Sequence, residues 1–241
     1  MKKILDINYK NDGNAYHSAD FYLPETEDYD TVIYIHGGGL ENGSRKSFKY
    51  ADYYTEKGIA VVSVDYSLFP EAHFPVFINE VACAVAFIKE KIKSLNGNGR
   101  LFIWGSSAGA YITMMLCLDE RYLLSAGLSR DCISGYVSES SQQFAHYNIL
   151  KYKGIDSRLE IIDETAPINY VRDGIRIQPL LMLYYSEDMV CRPEENKLMY
   201  KSLKRFLPVD FPLEIAEIKG RHCRPEKPEA LCDTVFRFIK N

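Results

Sequence analysis

The chain has 241 residues, of which 46% are hydrophobic, and this is enough to bury the core of an α/β domain. Its 29 basic and 33 acidic residues leave a net charge of −4 with no basic block, which argues against a nucleic-acid partner. No apolar run approaches the roughly 18 residues of a membrane-spanning helix, and the first residues lack the apolar core of a signal peptide. We therefore expect a cytoplasmic protein without membrane insertion.

The first half of the chain alternates short apolar runs with helix-like segments. The runs typical of strands cover residues 4–9, 20–23, 31–35, 59–64 and 101–104. Apolar residues at helical spacing predict helices over residues 47–57, 76–95 and 108–118. Arg45, Lys46 and Lys49 are interpreted as the solvated start of the first helix; attraction of an acidic substrate is the alternative.

The second half continues the alternation after one irregular segment. Strands are predicted over residues 132–138, 180–185 and 212–218, and helices from Pro193, with Met199, Leu203 and Phe206 facing inward, and over 226–240. Residues 139–178 have no sustained period and are expected to hold a short helix and a small lid. Such alternation indicates βαβ units and a mostly parallel sheet with helices on both faces. We predict one α/β domain over residues 1–241, with a lid or irregular insert around 139–178.

A Gly-Ser-Ser-Ala-Gly pentapeptide, Gly105 to Gly109, joins the strand over 101–104 to the helix over 108–118. A strand that turns into a helix within two residues forces the middle residue, Ser107, into a strained conformation, and the small neighbours prevent a clash. The turn lifts the serine oxygen above the sheet, where the helix N-terminus favours developing negative charge. The pentapeptide alone is a weak signal, because an ordinary strand-to-helix loop can have the same composition.

Three further polar landmarks follow predicted strands. His36-Gly-Gly-Gly39 follows the strand over 31–35, and its glycines leave backbone N–H groups free to face a ligand. Asp188 follows the strand over 180–185, and His222 follows the last strand. Ligands of parallel sheets bind at the carboxyl ends of strands, so these residues are expected to meet Ser107. Their chain order, serine, acid, histidine, is the order of α/β-hydrolases.

Two assignments have alternatives. His222 is the preferred general base among five histidines, and His146, in the irregular segment, is the runner-up. Asp188 is the preferred acid, and the adjacent Glu187 is its alternative.

The chain resembles the α/β-hydrolase superfamily, in its hormone-sensitive-lipase-like and small carbohydrate-esterase (BD-FAE-like) branches. The matching stretches are His36-Gly-Gly-Gly39, Gly105-Ser-Ser-Ala-Gly109 and Asp65-Tyr-Ser-Leu-Phe-Pro-Glu-Ala-His-Phe-Pro75, the last similar to D-Y-R-L-x-P-E-x-x-F-P. There are departures, since Ser67 replaces the usual arginine, Ala110 replaces a frequent second glycine, and the long N-terminal cap of the lipase-like branch is absent.

The resemblance implies an acyl-enzyme mechanism. Ser107 would be the nucleophile and His222 its general base, while Asp188 would fix the histidine tautomer. The backbone N–H groups of Gly38, Gly39 and Ala108 would form the oxyanion hole.

The first hypothesis for function is a serine carboxylesterase acting on small acyl esters, including acetylated or feruloylated carbohydrates. An amidase or formamidase of the kynurenine-formamidase type is the alternative, because the same triad serves both bonds. A non-catalytic binding protein on a hydrolase scaffold is the third hypothesis, although such proteins usually lose a triad member. No cofactor or metal is expected, and homodimerisation stays open.

Free thiols are expected for all six cysteines. Cys191 and Cys223 follow site residues closely, and a disulfide or redox switch at these two positions is the less favoured alternative.

Overall fold

A nine-stranded sheet forms the centre of the protein in a computed structural model that describes residues 1–241. The strands are β1 (Lys2–Asn8), β2 (Ser18–Leu23), β3 (Tyr29–Ile35), β4 (Ile59–Val64), β5 (Gly97–Ser106), β6 (Gly135–Glu139), β7 (Leu180–Glu187), β8 (Leu213–Arg221) and β9 (Arg224–Pro225). The α-helices are α1 (Ala51–Glu56), α2 (Val76–Lys93), α3 (Ala108–Leu118), α4 (Arg121–Ser125), α5 (Tyr147–Tyr152), α6 (Arg192–Lys204) and α7 (Pro228–Lys240).

The strand order across the sheet is β1-β2-β4-β3-β5-β6-β7-β8-β9. The six strands from β4 to β8 in this order are parallel, whereas β1, β2 and β9 pair antiparallel at the edges. The prediction of a mostly parallel sheet is therefore confirmed. Because all parallel strands end at one edge, the loops that follow them converge there.

Helices cover both faces of the sheet. Buried residues of α2, α3 and α6 pack on one face, and those of α1 and α7 pack on the other. All seven residues of β3 and all six of β4 are buried, as expected for continuous β-branched and aliphatic runs that are covered on both sides. None of the helices combines the length and apolar character needed to cross a membrane.

The helix predicted over residues 47–57 was too long. The structure has a 3₁₀ turn at Arg45–Ser47, and α1 begins only at Ala51. The reason is tertiary packing. Phe48 has extended backbone angles and buries its ring against Tyr34, with 4.4 Å between the ring centroids. Burial of that ring outweighs the helical spacing of the local sequence.

Two other details differ from the sequence predictions, and a third agrees with them. Helix α6 ends at Lys204, so Phe206 lies in the following turn and is 39% exposed, which makes its predicted inward position wrong. The five-residue helix α4 was not predicted. The irregular segment over 139–178 contains α5 and a 3₁₀ turn at Pro167–Tyr170, so the short helix expected there is confirmed.

Candidate active site

Five parallel strands end at residues that meet in one place. His36 follows β3, Ser107 follows β5, Ser140 follows β6, Asp188 follows β7 and His222 follows β8. The predicted convergence of polar residues at the carboxyl edge of the sheet is therefore observed.

Ser107 lies in a strained turn between β5 and α3. Its φ of 54° and ψ of −115° are rare for a residue with a side chain, and such strain persists only where the surroundings enforce it. A Cβ atom on Gly105 would collide with the backbone of Gly109, and one on Gly109 would collide with the Ile35 carbonyl. The backbone N–H of Ser107 donates to the Glu139 carbonyl at 2.8 Å. The two glycines thus allow the close packing that fixes this turn.

His222 connects Ser107 to Asp188. Its Nε2 atom lies 2.8 Å from Ser107 Oγ, and its Nδ1 atom lies 2.5 Å from Asp188 Oδ1. The Asp188 side chain is completely buried, whereas that of His222 is 24% exposed. An Nδ1–H donated to Asp188 leaves Nε2 unprotonated and facing the serine hydroxyl, which is the arrangement a general base requires.

A tight hairpin presents His222 to the site. Strands β8 and β9 pair antiparallel through Gly220 with Pro225 and Arg221 with Arg224, which leaves His222 and Cys223 at the tip. Gly220 has a φ of 136°, and a Cβ atom there would collide with the Arg224 carbonyl. This hairpin was not anticipated from the sequence.

Ser140 is a member of the site that the sequence analysis missed. Its hydroxyl donates to Asp188 Oδ2 at 2.6 Å, and its Oγ lies 2.9 Å from His222 Nδ1. The backbone N–H groups of Tyr185 and Met189 also donate to the Asp188 carboxylate, at 3.0 and 2.8 Å. Ser140 is the second residue after the strand predicted over 132–138, and this position, the criterion that identified the other site residues, could have pointed to it.

These contacts keep Asp188 ionised. Burial by itself raises the pKa of this carboxyl, but the hydrogen bonds from His222, Ser140 and the two amides outweigh it and bring the pKa below its ordinary value. Asp188 can therefore accept the His222 N–H as a carboxylate.

Three backbone N–H groups beside Ser107 face no acceptor in the protein. They belong to Gly38, Gly39 and Ala108, the residues predicted for an oxyanion hole. Gly38 and Gly39 have φ angles of 114° and 67°, which side-chain-bearing residues rarely adopt. Unpartnered amides next to a nucleophile are suited to accept the negative charge of a tetrahedral intermediate.

The loop that is predicted to supply two oxyanion donors, residues 36–39 and named the oxyanion loop for this prediction, is held from several directions. The Asn148 amide donates to the Gly39 carbonyl, and the Tyr66 hydroxyl donates to the His36 carbonyl at 2.9 Å. The rings of His36 and Tyr66 stack with 4.4 Å between centroids, and His36 Nδ1 lies 2.7 Å from the Gly37 carbonyl oxygen. Burial lowers the pKa of His36, so this imidazole stays neutral and acts in the structure of the loop.

Arg45 does not have either role considered for it from the sequence. Its side chain is buried and forms ion pairs with Asp6, Asp20 and Asp65. Its backbone N–H also donates to Asp65 Oδ1 at 2.5 Å. The prediction of a solvated helix start is therefore wrong at Arg45, which ties the segment after the oxyanion loop to the 65–75 loop. Lys46 and Lys49 are exposed.

The alternative site residues lie elsewhere. His146 is buried at the start of α5, where its Nδ1 accepts the Asn148 N–H, and burial lowers its pKa to about 3. Glu187 is exposed and lies 3.9 Å from Arg221. Neither contacts Ser107 or His222, so the geometry favours the preferred pair. Histidine, cysteine, aspartate and glutamate side chains form no group of three or more arranged to hold a metal ion.

Several known proteins are similar to this chain. Kynurenine formamidase of Salmo salar is 31% identical over 100 residues, which are 40% of this chain and 33% of that protein. Neutral cholesterol ester hydrolase 1 of Pongo abelii is 35% identical over 105 residues, which are 41% of this chain and 25% of that protein. The chain thus spans between a quarter and a third of the length of these curated relatives.

Solved structures resemble it over nearly its whole length. A truncated carbohydrate esterase from gut microbiota has a TM-score of 0.78 at 17% identity, and the match covers 100% of this chain and 97% of that one. Esterase B from Lactobacillus Rhamnosis has a TM-score of 0.78 at 15% identity, with 98% of this chain and 84% of that one covered. At these identities the likeness concerns the fold, and it confirms the predicted α/β-hydrolase fold.

The model of the BD-FAE family matches residues 19–156, which is more than half of the chain and includes both glycine motifs. The chain therefore belongs to the BD-FAE family, within the esterase branch of the α/β-hydrolase superfamily that the motifs resemble.

Proposed function

We propose that the protein is a serine carboxylesterase that cleaves small acyl esters through an acyl-enzyme intermediate. The observation that carries the proposal is the continuous contact from Ser107 through His222 to the buried Asp188, at 2.8 and 2.5 Å. The free N–H groups of Gly38, Gly39 and Ala108 beside it support the same chemistry.

In this mechanism His222 Nε2 takes the Ser107 proton while Oγ attacks the ester carbonyl. The oxyanion forms against the three free N–H groups, and the imidazolium is stabilised by the Asp188 carboxylate. When the intermediate collapses, His222 gives the proton to the leaving alcohol, and the acyl group stays on Ser107. Water, activated by the same imidazole, then attacks the acyl-enzyme and releases the acid.

The esterase assignment has support from the family and from the names of its relatives. The BD-FAE match, the carbohydrate esterase and the cholesterol ester hydrolase all point to ester substrates. Acetylated or feruloylated carbohydrates are the candidate natural substrates, because a carbohydrate esterase shares the fold over the whole chain. The covering segment is small, since α5 has six residues, and this favours short acyl groups.

A formamidase is the second candidate, and the similarity to the kynurenine formamidase of Salmo salar favours it. The same serine, imidazole and oxyanion donors can cleave a formamide, so the geometry by itself does not separate the two reactions.

Hydrolysis of p-nitrophenyl acetate, butyrate and octanoate by wild type and Ser107→Ala, with an arylformamide alongside, tests the proposal. We expect ester turnover that falls by at least about 10⁴-fold in Ser107→Ala and that declines with chain length. Faster turnover of the formamide would favour the second candidate. Equal rates for wild type and Ser107→Ala on every substrate would contradict both and favour a non-catalytic binding protein.

A further inference from the structure

A cleft of about 590 Å³ opens beside the oxyanion loop, on the sheet face that carries α1 and α7. Its lining includes Ser106 and Glu139, which directly precede Ser107 and Ser140 in the chain. Acyl transfer by Ser107 and His222 requires neither this cleft nor the carboxyl group of Glu139.

Glu139 is an unusual residue for the end of a central strand, because it is acidic and only 3% exposed. Burial raises the pKa of its carboxyl group, and the hydrogen bonds that it accepts act in the opposite direction. The Tyr185 hydroxyl donates to its Oε1, and the Trp104 indole N–H donates to its Oε2 at 3.1 Å. The Ser106 side chain also hydrogen-bonds this carboxyl group. A carboxyl group offers about four acceptor positions, so one position is left. A buried carboxylate that is held in place and incompletely satisfied is suited to receive donors from a ligand.

Aromatic rings form the wall of the cleft. Tyr50 lies nearly parallel to Trp104, with 6.5 Å between centroids and 6° between planes, and Phe48 meets Trp104 edge to face at 5.5 Å. Trp104 and Phe48 are buried behind this wall, so the half-buried ring of Tyr50 is the face that a ligand can reach. An apolar face close to a carboxyl group suits a ligand with C–H faces and hydroxyl edges. Lys49 and Arg224 also line the cleft and are exposed, and their charges disfavour a cationic ligand.

The cleft reaches the catalytic centre at two points. Gly38, one of the oxyanion donors, lines it, and so does Cys223, whose Sγ lies 3.8 Å from His222 Nε2. That nitrogen returns its proton to the leaving alcohol. A group that extends from the leaving oxygen can therefore enter the cleft past Cys223.

We propose that this cleft binds the alcohol part of the ester, and that Glu139 selects alcohols that carry additional hydroxyl groups. The inference rests on the proposed esterase function and assigns a specificity-determining residue to it. A hydroxyl donor of the ligand completes the free acceptor position of Glu139, and C–H faces pack on the half-buried ring of Tyr50. An alkyl alcohol fills the same space but leaves the carboxylate unsatisfied, which a site built for hydroxyls disfavours.

The first test compares three butyrate esters that differ only in the alcohol: ethyl butyrate, glyceryl monobutyrate and 6-O-butyryl glucose. Wild type is expected to prefer at least one hydroxylated ester in kcat/KM, and Glu139→Gln is expected to reduce that preference about 10-fold. Glu214→Gln, the same substitution at an exposed residue, is the matched control. If Glu139→Gln does not fold, Tyr50→Ala provides the same comparison through the aromatic wall.

The second test measures binding without turnover. Trp104 is the only tryptophan of the chain and lines the cleft, so its fluorescence reports occupancy. In Ser107→Ala, methyl glucoside or glycerol is expected to change the emission saturably, and adding Glu139→Gln is expected to weaken the effect about 10-fold. A response to methyl glucoside alone indicates a sugar ester, and a response to glycerol alone indicates an acylglycerol.

Equal loss of activity toward the ethyl and hydroxylated esters in Glu139→Gln would overturn the inference, and so would an emission that neither polyol changes. If wild type hydrolyses none of the three esters, the esterase proposal itself is wrong, and the inference about the cleft is wrong as well. This result differs from the two results that contradict the cleft inference alone.

Discussion

At the scale of single residues, the site depends on backbone conformations that only neighbouring strands can enforce. Ser107 and Ser140 both have positive φ angles, 54° and 59°, and each follows a buried strand. Ser107 was identifiable because the glycines around it are a sequence signal for such a turn. Ser140 and Glu139 lack such glycines, and only their position after a predicted strand could have pointed to them. These two residues lie close to Ser107 and Asp188 because β6 lies between β5 and β7 in the sheet. The order of strands in the sheet, and no local sequence pattern, determines this proximity.

Ser140→Ala is expected to lower kcat/KM about 10-fold, because it removes a hydrogen bond to the buried carboxylate of Asp188. Steady-state kinetics on p-nitrophenyl butyrate measure the change. Ser141→Ala is the matched control, since the Ser141 hydroxyl lies 2.9 Å from the Gln142 carbonyl oxygen and does not contact Asp188. Equal losses in the two variants would show that Ser140 acts only through packing.

Asp188 also links stability to pH. Its folded-state pKa is lowered, so the stabilisation from its ionised form is fully present above the unfolded-state value, about 3.9, and is lost as pH falls through the folded-state value. The unfolding free energy of wild type relative to Asp188→Asn, measured with urea from pH 6 downward, should therefore decrease below about pH 4. A pH-independent difference would contradict the assigned hydrogen bonds.

At the scale of elements, the oxyanion loop is supported by a helix far away in the sequence. Helix α5 supplies Asn148, which donates to the Gly39 carbonyl across 109 residues of chain. The sequence predicted that a short helix lies in the 139–178 segment, but nothing in its pattern indicates which loop the helix contacts. The length of the helix over 47–57 was mispredicted for a similar reason, because Phe48 and Arg45 are fixed by contacts with other strands and loops.

Asn148→Ala is expected to reduce kcat about 10- to 100-fold with little change in KM, since a displaced oxyanion loop weakens binding of the transition state more than that of the substrate. The control is Lys153→Ala, which follows the same helix and removes an exposed ion pair with Asp163. A change in KM alone would show that Asn148 acts on substrate binding and leaves the oxyanion donors in place.

At the scale of the whole molecule, one continuous sheet with helices on both faces was predictable from alternation and strand composition. The strand order was not, because the local pattern does not encode that β4 lies outside β3. The single-domain organisation over residues 1–241 stays a prediction. It implies one cooperative urea transition, with far-UV circular dichroism and Trp104 fluorescence changing together. Two separated transitions would contradict it.

The buried charge cluster around Arg45 ties distant parts of this sheet together. Arg45→Met leaves the buried carboxylates of Asp20 and Asp65 without their partner, and we expect a loss of about 3–5 kcal/mol in unfolding free energy. Lys46→Met, at the exposed neighbour, is the control. A loss below about 1 kcal/mol would place the cluster among weak surface pairs.

The central claim is that Ser107 carries the acyl group during turnover. Acid-quenching the reaction with p-nitrophenyl butyrate and mapping the modified peptide by mass spectrometry tests this claim directly. We expect one butyryl group on Ser107 in wild type and no adduct in Ser107→Ala. A butyryl group on another residue, or an unmodified protein that still turns over the ester, would contradict this claim.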